Sequence, residues 1–267
     1  MFNIIHIYRA DKPNDTESME INILLFFAGL LAGAMNSAGG GGSFVTFPAL
    51  VLAGLPSVYA NATSAVALFP GSLAGAWAYR RECRSFTAIP LKPMIGASLA
   101  GGLLGALLLH MTPAKIFDSL IPWLLALGTV AFSFGPKIGY LMRKSVQPGS
   151  PFMLILQTAL AVYGGYFGGA VGIMMMAAWS LFGITDIRSM NAAKTLLVGM
   201  TNSAAVIYFA GTELVWWSQS MVMLAGAVIG GYGGACWVRR ISPQRLRTGI
   251  TIFNVVITVV FFVQRMK

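Results

Sequence analysis

The stretch Asn36-Ser37-Ala38-Gly39-Gly40-Gly41-Gly42-Ser43 places eight small or polar residues inside a segment, 21–79, that carries no charged residue. Four consecutive glycines do not hold a helix, because each costs about 1 kcal/mol relative to alanine. Apolar sequence continues on both sides of them. Lipid cannot hydrogen-bond an open backbone, so such a break is tolerated only where protein buries it or where it lines a wet cavity. The stretch is therefore the first candidate for a binding site.

The composition of the chain is that of a polytopic membrane protein. Its 267 residues are 57% hydrophobic and 10% charged, the mean hydropathy is +0.74, and several apolar runs exceed about 18 residues. The 18 Lys and Arg residues, which give a net charge of +10, lie mostly in short loops between these runs. Such a distribution orients a protein in the cell membrane by the positive-inside rule. We expect the lipid bilayer, and not nucleic acid, to be the partner of these charges.

Residues that carry metal or catalytic chemistry are sparse. Cys83 and Cys236 stand far apart beside basic clusters, so free thiols are expected rather than a disulfide. His6 and His110 share no metal-ligand spacing with Cys, Asp or Glu. The apolar runs hold neither a nucleophile with its base nor paired carboxylates. The sequence thus predicts no metal site, no cofactor and no enzyme activity.

Ten apolar runs predict an all-α fold. Eight are long enough to span a bilayer, because about 20 helical residues cover about 30 Å of hydrocarbon. The other two, Phe44–Ala53 and Ile173–Gly183, are about half as long, and each follows a glycine-rich break. We therefore expect about eight transmembrane helices plus two short helices that are broken or re-entrant.

The sequence matches itself weakly at a shift of about 130 residues. Gly54–Ala62 then aligns with Gly183–Ala192, with one residue of slip, and Gly101–Ala106 aligns with Gly230–Ala235. Matches in the same order along both copies indicate a duplicated unit, and the glycine pairs are typical of helix-packing seams. The predicted divisions are a polar tail (1–20), a first membrane repeat (21–135), a cytoplasmic linker (136–150) and a second membrane repeat (151–267).

Charge predicts how the two repeats are oriented. Four basic segments, around Arg80, Lys137, Arg188 and Arg239, hold most of the Lys and Arg residues and should all face the cytoplasm. They do so only if the short helices count as elements, which gives each half an odd number of elements and therefore inverted topology. Both termini then lie outside. Inverted repeats with broken helices are typical of secondary transporters, whose substrate sits where the two breaks meet near the bilayer midplane.

One run of residues also carries a family resemblance. The sequence GLLAGAMNSAGGGGSFVTFPALVLAGLPSVYANATS, residues 29–64, is followed by an aromatic-Arg-Arg helix end and resembles the sulfite exporter TauE/SafE family of membrane permeases. Gly168–Gly172 and Asn191–Lys194 resemble that family's second copy, so that the resemblance covers nearly the whole chain. It implies transport of small anions, often sulfur-containing, such as sulfite, thiosulfate or organosulfonates.

The first break is the centre of the predicted anion site. The short helix that begins near Phe44 directs its free amide groups and the positive end of its dipole towards the glycine loop, where an anion can bind. An alternative is that the glycines only allow helices to cross closely. Polar residues beside the loop favour binding. The predicted contacts are Asn36, Gly39, Gly40, Gly41, Gly42 and Ser43.

Polar residues of the helices that follow the two short ones are predicted to complete the site: Asn61, Thr63, Ser64, Asn191, Lys194 and Asn202. Matched positions of an inverted pair can converge on one cavity. For the asparagines at helix starts the alternative is an N-cap, and for Thr63 and Ser64 it is a bond to their own helix. Lys194 is the one basic residue well inside an apolar run, where a cation suits an anion carrier. Its alternative is to extend towards the headgroups.

Together these patterns predict a secondary permease that moves a small anion across the plasma membrane by alternating access. The expected partners are the anion and the bilayer; a coupling ion, proton or sodium, and a homodimer are left open. The alternatives are an anion channel and a membrane scaffold that transports nothing.

Overall fold

The computed structural model describes residues 15–38, 41–78, 90–141, 151–182, 184, 186–238 and 243–265. Within these ranges the chain is all-helical, with ten helices and no strand, which confirms the predicted fold class. The helices are α1 Asp15–Ala38, α2 Ser43–Leu52, α3 Ser57–Ala78, α4 Leu91–Met111, α5 Ala114–Leu141, α6 Pro151–Tyr166, α7 Val171–Leu181, α8 Ile187–Ala210, α9 Trp217–Val238 and α10 Pro243–Arg265.

The helix bundle is apolar on its outer surface and buries several polar side chains within an apolar interior. Large side chains such as Phe27, Trp123 and Val256 are more than half exposed, and similar residues line the outer faces of most helices. Hydroxyl and amide side chains such as Thr46 and Asn61 are instead buried. A soluble protein rarely exposes apolar surface on this scale, so the distribution fits a protein that is surrounded by lipid.

Among the described residues, three helical segments are long and apolar enough to cross a membrane, by length and composition alone: Thr16–Asn36, Leu91–Met111 and Ala114–Ala131. Helices α2, α6 and α7 contain shorter apolar stretches. The apolar sequences of α3 and α8 are interrupted by the polar residues that were predicted to form the site. The total of about eight spans stays a prediction.

Several helix ends differ from the predicted boundaries. Helix α1 begins inside the predicted polar tail, and α5 continues six residues into the predicted linker, to Leu141. Helix α7 begins at Val171, before the predicted start, because the Ile173 amide donates to the carbonyl of Ala170 over 3.0 Å and so closes the first turn there. Residues 1–14 and 142–150, and the basic clusters around Arg80 and Arg239, lie outside the described residues.

The packing of the helices is matched between α1–α5 and α6–α10. Helix α1 corresponds to α6 in the second half, and α4 corresponds to α9. With this correspondence, the two most extensive helix contacts, α1 with α9 and α4 with α6, are equivalent to each other. Likewise, α3 packs on α9 as α8 packs on α4, and α2 packs on α3 as α7 packs on α8. Two contacts, α3 with α8 and α5 with α10, join a helix to its own counterpart. In each half, therefore, one long helix packs mainly against a helix of the other half: α1 against α9, and α6 against α4.

One hydrogen bond joins two counterpart residues directly. The hydroxyl oxygens of Thr129 on α5 and Thr258 on α10 lie 2.9 Å apart in space and 129 residues apart in sequence. That separation equals the shift at which the sequence matches itself. A bond between equivalent residues is what a two-fold axis passing between α5 and α10 would produce.

Glycines set how closely the matched helix pairs approach. A methyl group added to Gly230 of α9 would lie 1.9 Å from the carbonyl oxygen of Leu30 on α1. In the counterpart pair, a methyl group on Gly105 of α4 would lie 2.2 Å from the Val162 carbonyl oxygen on α6. Both distances are far below van der Waals contact. The small-residue spacing predicted to form packing seams is thus used inside the bundle.

We predict that Gly230→Ala destabilises the protein, because the new methyl group must push α1 and α9 apart. The expected loss is about 1–3 kcal/mol of the free energy of unfolding, seen as a lower midpoint in thermal unfolding of the detergent-solubilised protein. Gly233→Ala is the matched control on the same helix, since nothing lies within 4 Å of the added methyl group. Its midpoint should stay constant or rise, because alanine favours the helix by about 1 kcal/mol. Equal losses in both variants would contradict the seam.

Candidate functional site

The first break, between α1 and α2, is held by a side chain of α1. The amide of Gly42 donates to the Asn36 Oδ1 over 2.9 Å, which satisfies a peptide group that neither helix can pair. Gly41 has a φ of 95°, a conformation that favours glycine. A methyl group on Gly42 would lie 2.7 Å from the carbonyl oxygen of Ala32. The glycines are therefore required by the turn and by its contact with α1.

The predicted site residues of this loop are only partly described. Gly39 and Gly40 lie outside the described residues. Asn36 accepts a backbone hydrogen bond through its side-chain oxygen, and its amide nitrogen has no partner among the described residues. Gly41 and Gly42 are buried, whereas Ser43 is partly exposed and begins α2.

The second break, between α6 and α7, is held by a side chain from the other half of the chain. The Asn61 Nδ2 on α3 donates to the carbonyl oxygen of Tyr166, the last residue of α6, over 2.8 Å. Gly168 and Ala170 then turn the chain with φ values of 81° and 59°. Asn61 is only 4% exposed. Its amide thus satisfies a carbonyl that the end of α6 leaves without a helical partner.

The two breaks lie against each other. A methyl group on Gly168 would lie 3.8 Å from the hydroxyl oxygen of Ser43, and one on Gly169 would lie 3.3 Å from the ring of Phe44. The rings of Phe47 and Phe167 also meet edge to face, with centroids 5.8 Å apart. The N-termini of α2 and α7 therefore lie next to each other, and the positive ends of both helix dipoles meet there.

Two hydroxyl groups connect α3 to the first break. The oxygens of Ser64 and Thr46 lie 2.6 Å apart, and the Thr46 hydroxyl donates to the Gly42 carbonyl over 3.2 Å. Thr46 is fully buried. The sequence does not predict it as a site residue, because it lies inside the short apolar helix. Its position one turn after the loop is the signal that could have identified it.

Thr63 makes a contact that the sequence did not indicate. Its hydroxyl oxygen accepts a hydrogen bond from the amide of Trp216 over 3.1 Å, and the side chain is fully buried. Trp216 precedes the first residue of α9. Thr63 therefore caps the start of α9 in the opposite half, and neither its own helix nor the break holds its oxygen.

Lys194 lies inside the bundle, with only 8% of its surface exposed. Its side chain runs over the first turn of α7, where a methyl group on Gly172 would lie 2.9 Å from the Lys194 Cδ. Among the described residues its ammonium group has neither an ion pair nor a hydrogen bond. The structure thus places a buried, uncompensated cation beside the second break and not at the outer surface.

Two asparagines of α8 accompany this cation. Asn191 precedes Lys194 by about one turn, and Asn202 lies about three turns after Asn191 on the same side of the helix. In the described part of the chain, neither side-chain amide is hydrogen-bonded. Asn191 is the repeat counterpart of Asn61, but its side chain makes no hydrogen bond to a described backbone group. Its donors are available to a ligand.

Two buried amides were missed by sequence reasoning. Gln157 on α6 donates to the Ser98 hydroxyl oxygen over 3.0 Å, while its Oε1 has no partner among the described residues. Asn254 on α10 is fully buried, and its side-chain oxygen and nitrogen are both unpaired there. A lone amide inside an apolar run was the available signal. No group of three His, Cys, Asp or Glu residues in the described ranges could hold a metal ion.

Comparison with known proteins gives a consistent result. Residues 25–261 match the model of a family described as Sulfite exporter TauE/SafE. The chain is 29% identical over 236 residues to the probable membrane transporter protein YfcA of Escherichia coli, which covers 88% of this chain and 87% of that protein. It is 26% identical over 241 residues, 90% of this chain, to a probable membrane transporter protein of Haemophilus influenzae, of which 94% is covered. A probable membrane transporter protein, ORF9, of a Sinorhizobium species is 27% identical over 237 residues, with 88% and 90% covered.

We predict that the counterpart asparagines contribute differently to stability. Asn61→Leu leaves the Tyr166 carbonyl buried without a donor, which costs about 1–3 kcal/mol, so the unfolding midpoint in detergent should fall. Asn191→Leu removes no hydrogen bond of the described structure and should leave the midpoint nearly unchanged. A similar fall in both variants would show that Asn191 also holds the fold.

Proposed function

Because the chain belongs to the sulfite exporter TauE/SafE family, we propose that it is a secondary permease that carries a small anion through the membrane by alternating access. Its relatives are named probable membrane transporters. The single observation that carries the anion proposal is Lys194. A cation that is buried in a helix bundle without a counter-ion is unfavourable unless a ligand supplies the opposite charge.

The surroundings of Lys194 support an anion as that ligand. Two helix N-termini, those of α2 and α7, start from the place where the breaks meet, and each favours negative charge. Asn191 adds amide donors on α8 about one turn from Lys194, whereas Asn202 lies about 12 Å along the helix from Lys194 and would not reach the same small anion. The arrangement offers donors and positive potential, with no buried carboxylate among the described residues to bind a cation.

Ser64 becomes a donor to the anion if its hydrogen bond with Thr46 reverses. The 2.6 Å contact between the two hydroxyl oxygens permits either one to donate. With an anion present, Thr46 would donate to Ser64, and Ser64 would donate to the anion. The bond that Thr46 gives up, to the Gly42 carbonyl, is the longer one at 3.2 Å. Asn61 and Thr63 hold backbone groups and, in this proposal, shape the site without touching the substrate.

The proposed substrates are small oxyanions that contain sulfur, such as sulfite, thiosulfate or an organosulfonate. This class combines the family description with a site of hydroxyl, amide and ammonium donors, which suits several oxygens on one small centre. We place the protein in the plasma membrane. The inverted arrangement of the two repeats, with about eight spans, belongs to the same proposal.

Alternating access would move one half of the bundle against the other. The matched packing of the two halves supports this, because related states can then interchange by swapping the conformations of equivalent helices. The contacts between counterpart helices, α3 with α8 and α5 with α10, are where one half would turn on the other. Each break stays at the centre of that motion, so the anion need not travel far.

We predict that purified protein in liposomes takes up at least one radiolabelled anion from a panel of sulfite, thiosulfate, sulfate, sulfoacetate, lactate and chloride. Uptake should saturate and show counterflow, which a channel does not show. Protein-dependent uptake of none of them, by protein that is folded, would refute the anion proposal.

Substitution of the buried cation tests the site itself. Lys194→Met keeps a long side chain but removes the charge, and we expect uptake at low anion concentration to fall more than about tenfold, the result of losing more than about 1.4 kcal/mol of binding. Lys115→Met is the matched control, because Lys115 lies exposed at the start of α5. Uptake by the control should stay near that of the unmodified protein. Normal uptake by Lys194→Met would exclude Lys194 from the site.

A further inference from the structure

In the described part of the chain, neither α8 nor the helices packed against it supply a counter-ion for Lys194. The principal packing partners of α8 are α3, α4, α6 and α7, and the sequences of all five helices contain no Asp or Glu. The acidic residues whose side chains are described, Glu17, Glu20, Asp118, Asp186 and Glu213, all lie in loops or near helix ends, and none is buried. Among the residues whose burial is described, Lys194 is therefore the one charged side chain buried in these five helices.

That charge affects the carrier most when the site is closed on both sides. While the site is open to water, the ammonium group is hydrated. During the change of access the ammonium group must be enclosed. In the present structure Lys194 is already buried, with only 8% of its surface exposed. Enclosing a cation without a partner is strongly unfavourable, whereas enclosing it with a bound anion is not.

We propose that the protein is by preference an exchanger of singly charged anions, and this inference rests on the proposed function. A singly charged anion beside Lys194 makes the enclosed site neutral, so the loaded carrier changes access readily in both directions. The empty carrier must enclose one positive charge and changes access slowly. Return of the site therefore requires a second anion from the opposite side of the membrane.

The same charge decides which step responds to membrane potential. Movement of the neutral, loaded site transfers no charge through the membrane field. Movement of the empty site transfers up to one positive charge, which can change its rate by at most roughly 50-fold per 100 mV. A doubly charged anion leaves the enclosed site with one negative charge, so its exchange becomes sensitive to potential.

The experiment compares two modes of uptake in liposomes that contain the complete, purified chain. Radiolabelled sulfoacetate is not suitable, because it carries two charges; a singly charged alkylsulfonate, such as methanesulfonate, is the probe. Vesicles are loaded either with the same unlabelled anion or with an impermeant buffer, and the potential is set with potassium and valinomycin. We expect exchange to be at least about tenfold faster than net uptake. Exchange should not respond to a 100 mV potential, whereas net uptake should change several-fold.

The variant Lys194→Gln should reverse this pattern if it still transports. Its empty site is neutral and its loaded site carries one negative charge, so the ratio of exchange to net uptake falls towards one and exchange becomes sensitive to potential. Lys115→Gln, the exposed control, should behave like the unmodified protein. Where Lys194→Gln transports too little to measure, the comparison of the two modes in the unmodified protein decides the question by itself.

Net uptake as fast as exchange in the unmodified protein, or exchange that responds to potential, would overturn the inference and leave the proposed function intact. Net uptake that is insensitive to potential and carries a proton with each anion would overturn it too, because the ammonium would then lose its charge in the empty carrier. Movement of methanesulfonate in neither mode would also overturn the inference, and the uptake panel separately decides whether the proposed function fails with it.

Discussion

A helix that ends inside a hydrocarbon layer leaves peptide groups that lipid cannot satisfy. This chain has two breaks between apolar helices, and the structure shows which side chains satisfy peptide groups at each of them. Asn36 accepts from the Gly42 amide at the first break, and Asn61 donates to the Tyr166 carbonyl at the second. Because Asn61 comes from the opposite half, the Tyr166 carbonyl at the second break receives this donor only when the halves pack together. These two bonds therefore support the place where the breaks meet and where we infer the anion site.

The two halves are matched in packing but not in chemistry. At the place where the first half has Ser64, bonded through Thr46 to the loop, the second half has Lys194, packed on Gly172. These two residues lie about 130 positions apart, the shift of the repeat. One half thus supplies hydroxyl groups and a glycine loop, and the other supplies charge and the amides of α8 that have no partner among the described residues. In our proposal, the matched packing of the two halves provides the geometry, whereas departures from symmetry provide the binding chemistry.

Much of this architecture follows from the sequence, because it depends on local composition. Four glycines in an apolar run predict a break, four-residue glycine spacing predicts seams, and the run at 29–64 is sufficient to indicate the family, which the comparison confirms. The roles of individual polar residues could not be read in this way. Thr63 binds a residue 153 positions away and Asn61 one 105 positions away, and no local pattern specifies such partners. Lys194 shows the same limit, since it is buried by the packing of α8 against other helices, such as α7 at Gly172.

We infer, above all, that the two breaks and Lys194 form a single anion site. The most direct measurement is anomalous diffraction from crystals of the purified protein soaked in selenite, an oxyanion close in shape to sulfite whose selenium atom can be located without ambiguity. We expect a selenium peak between the start of α2 and Lys194, within hydrogen-bond reach of the Ser43 amide and the lysine ammonium group. Selenium peaks confined to surface arginines, with Lys194 paired to a protein group, would contradict it.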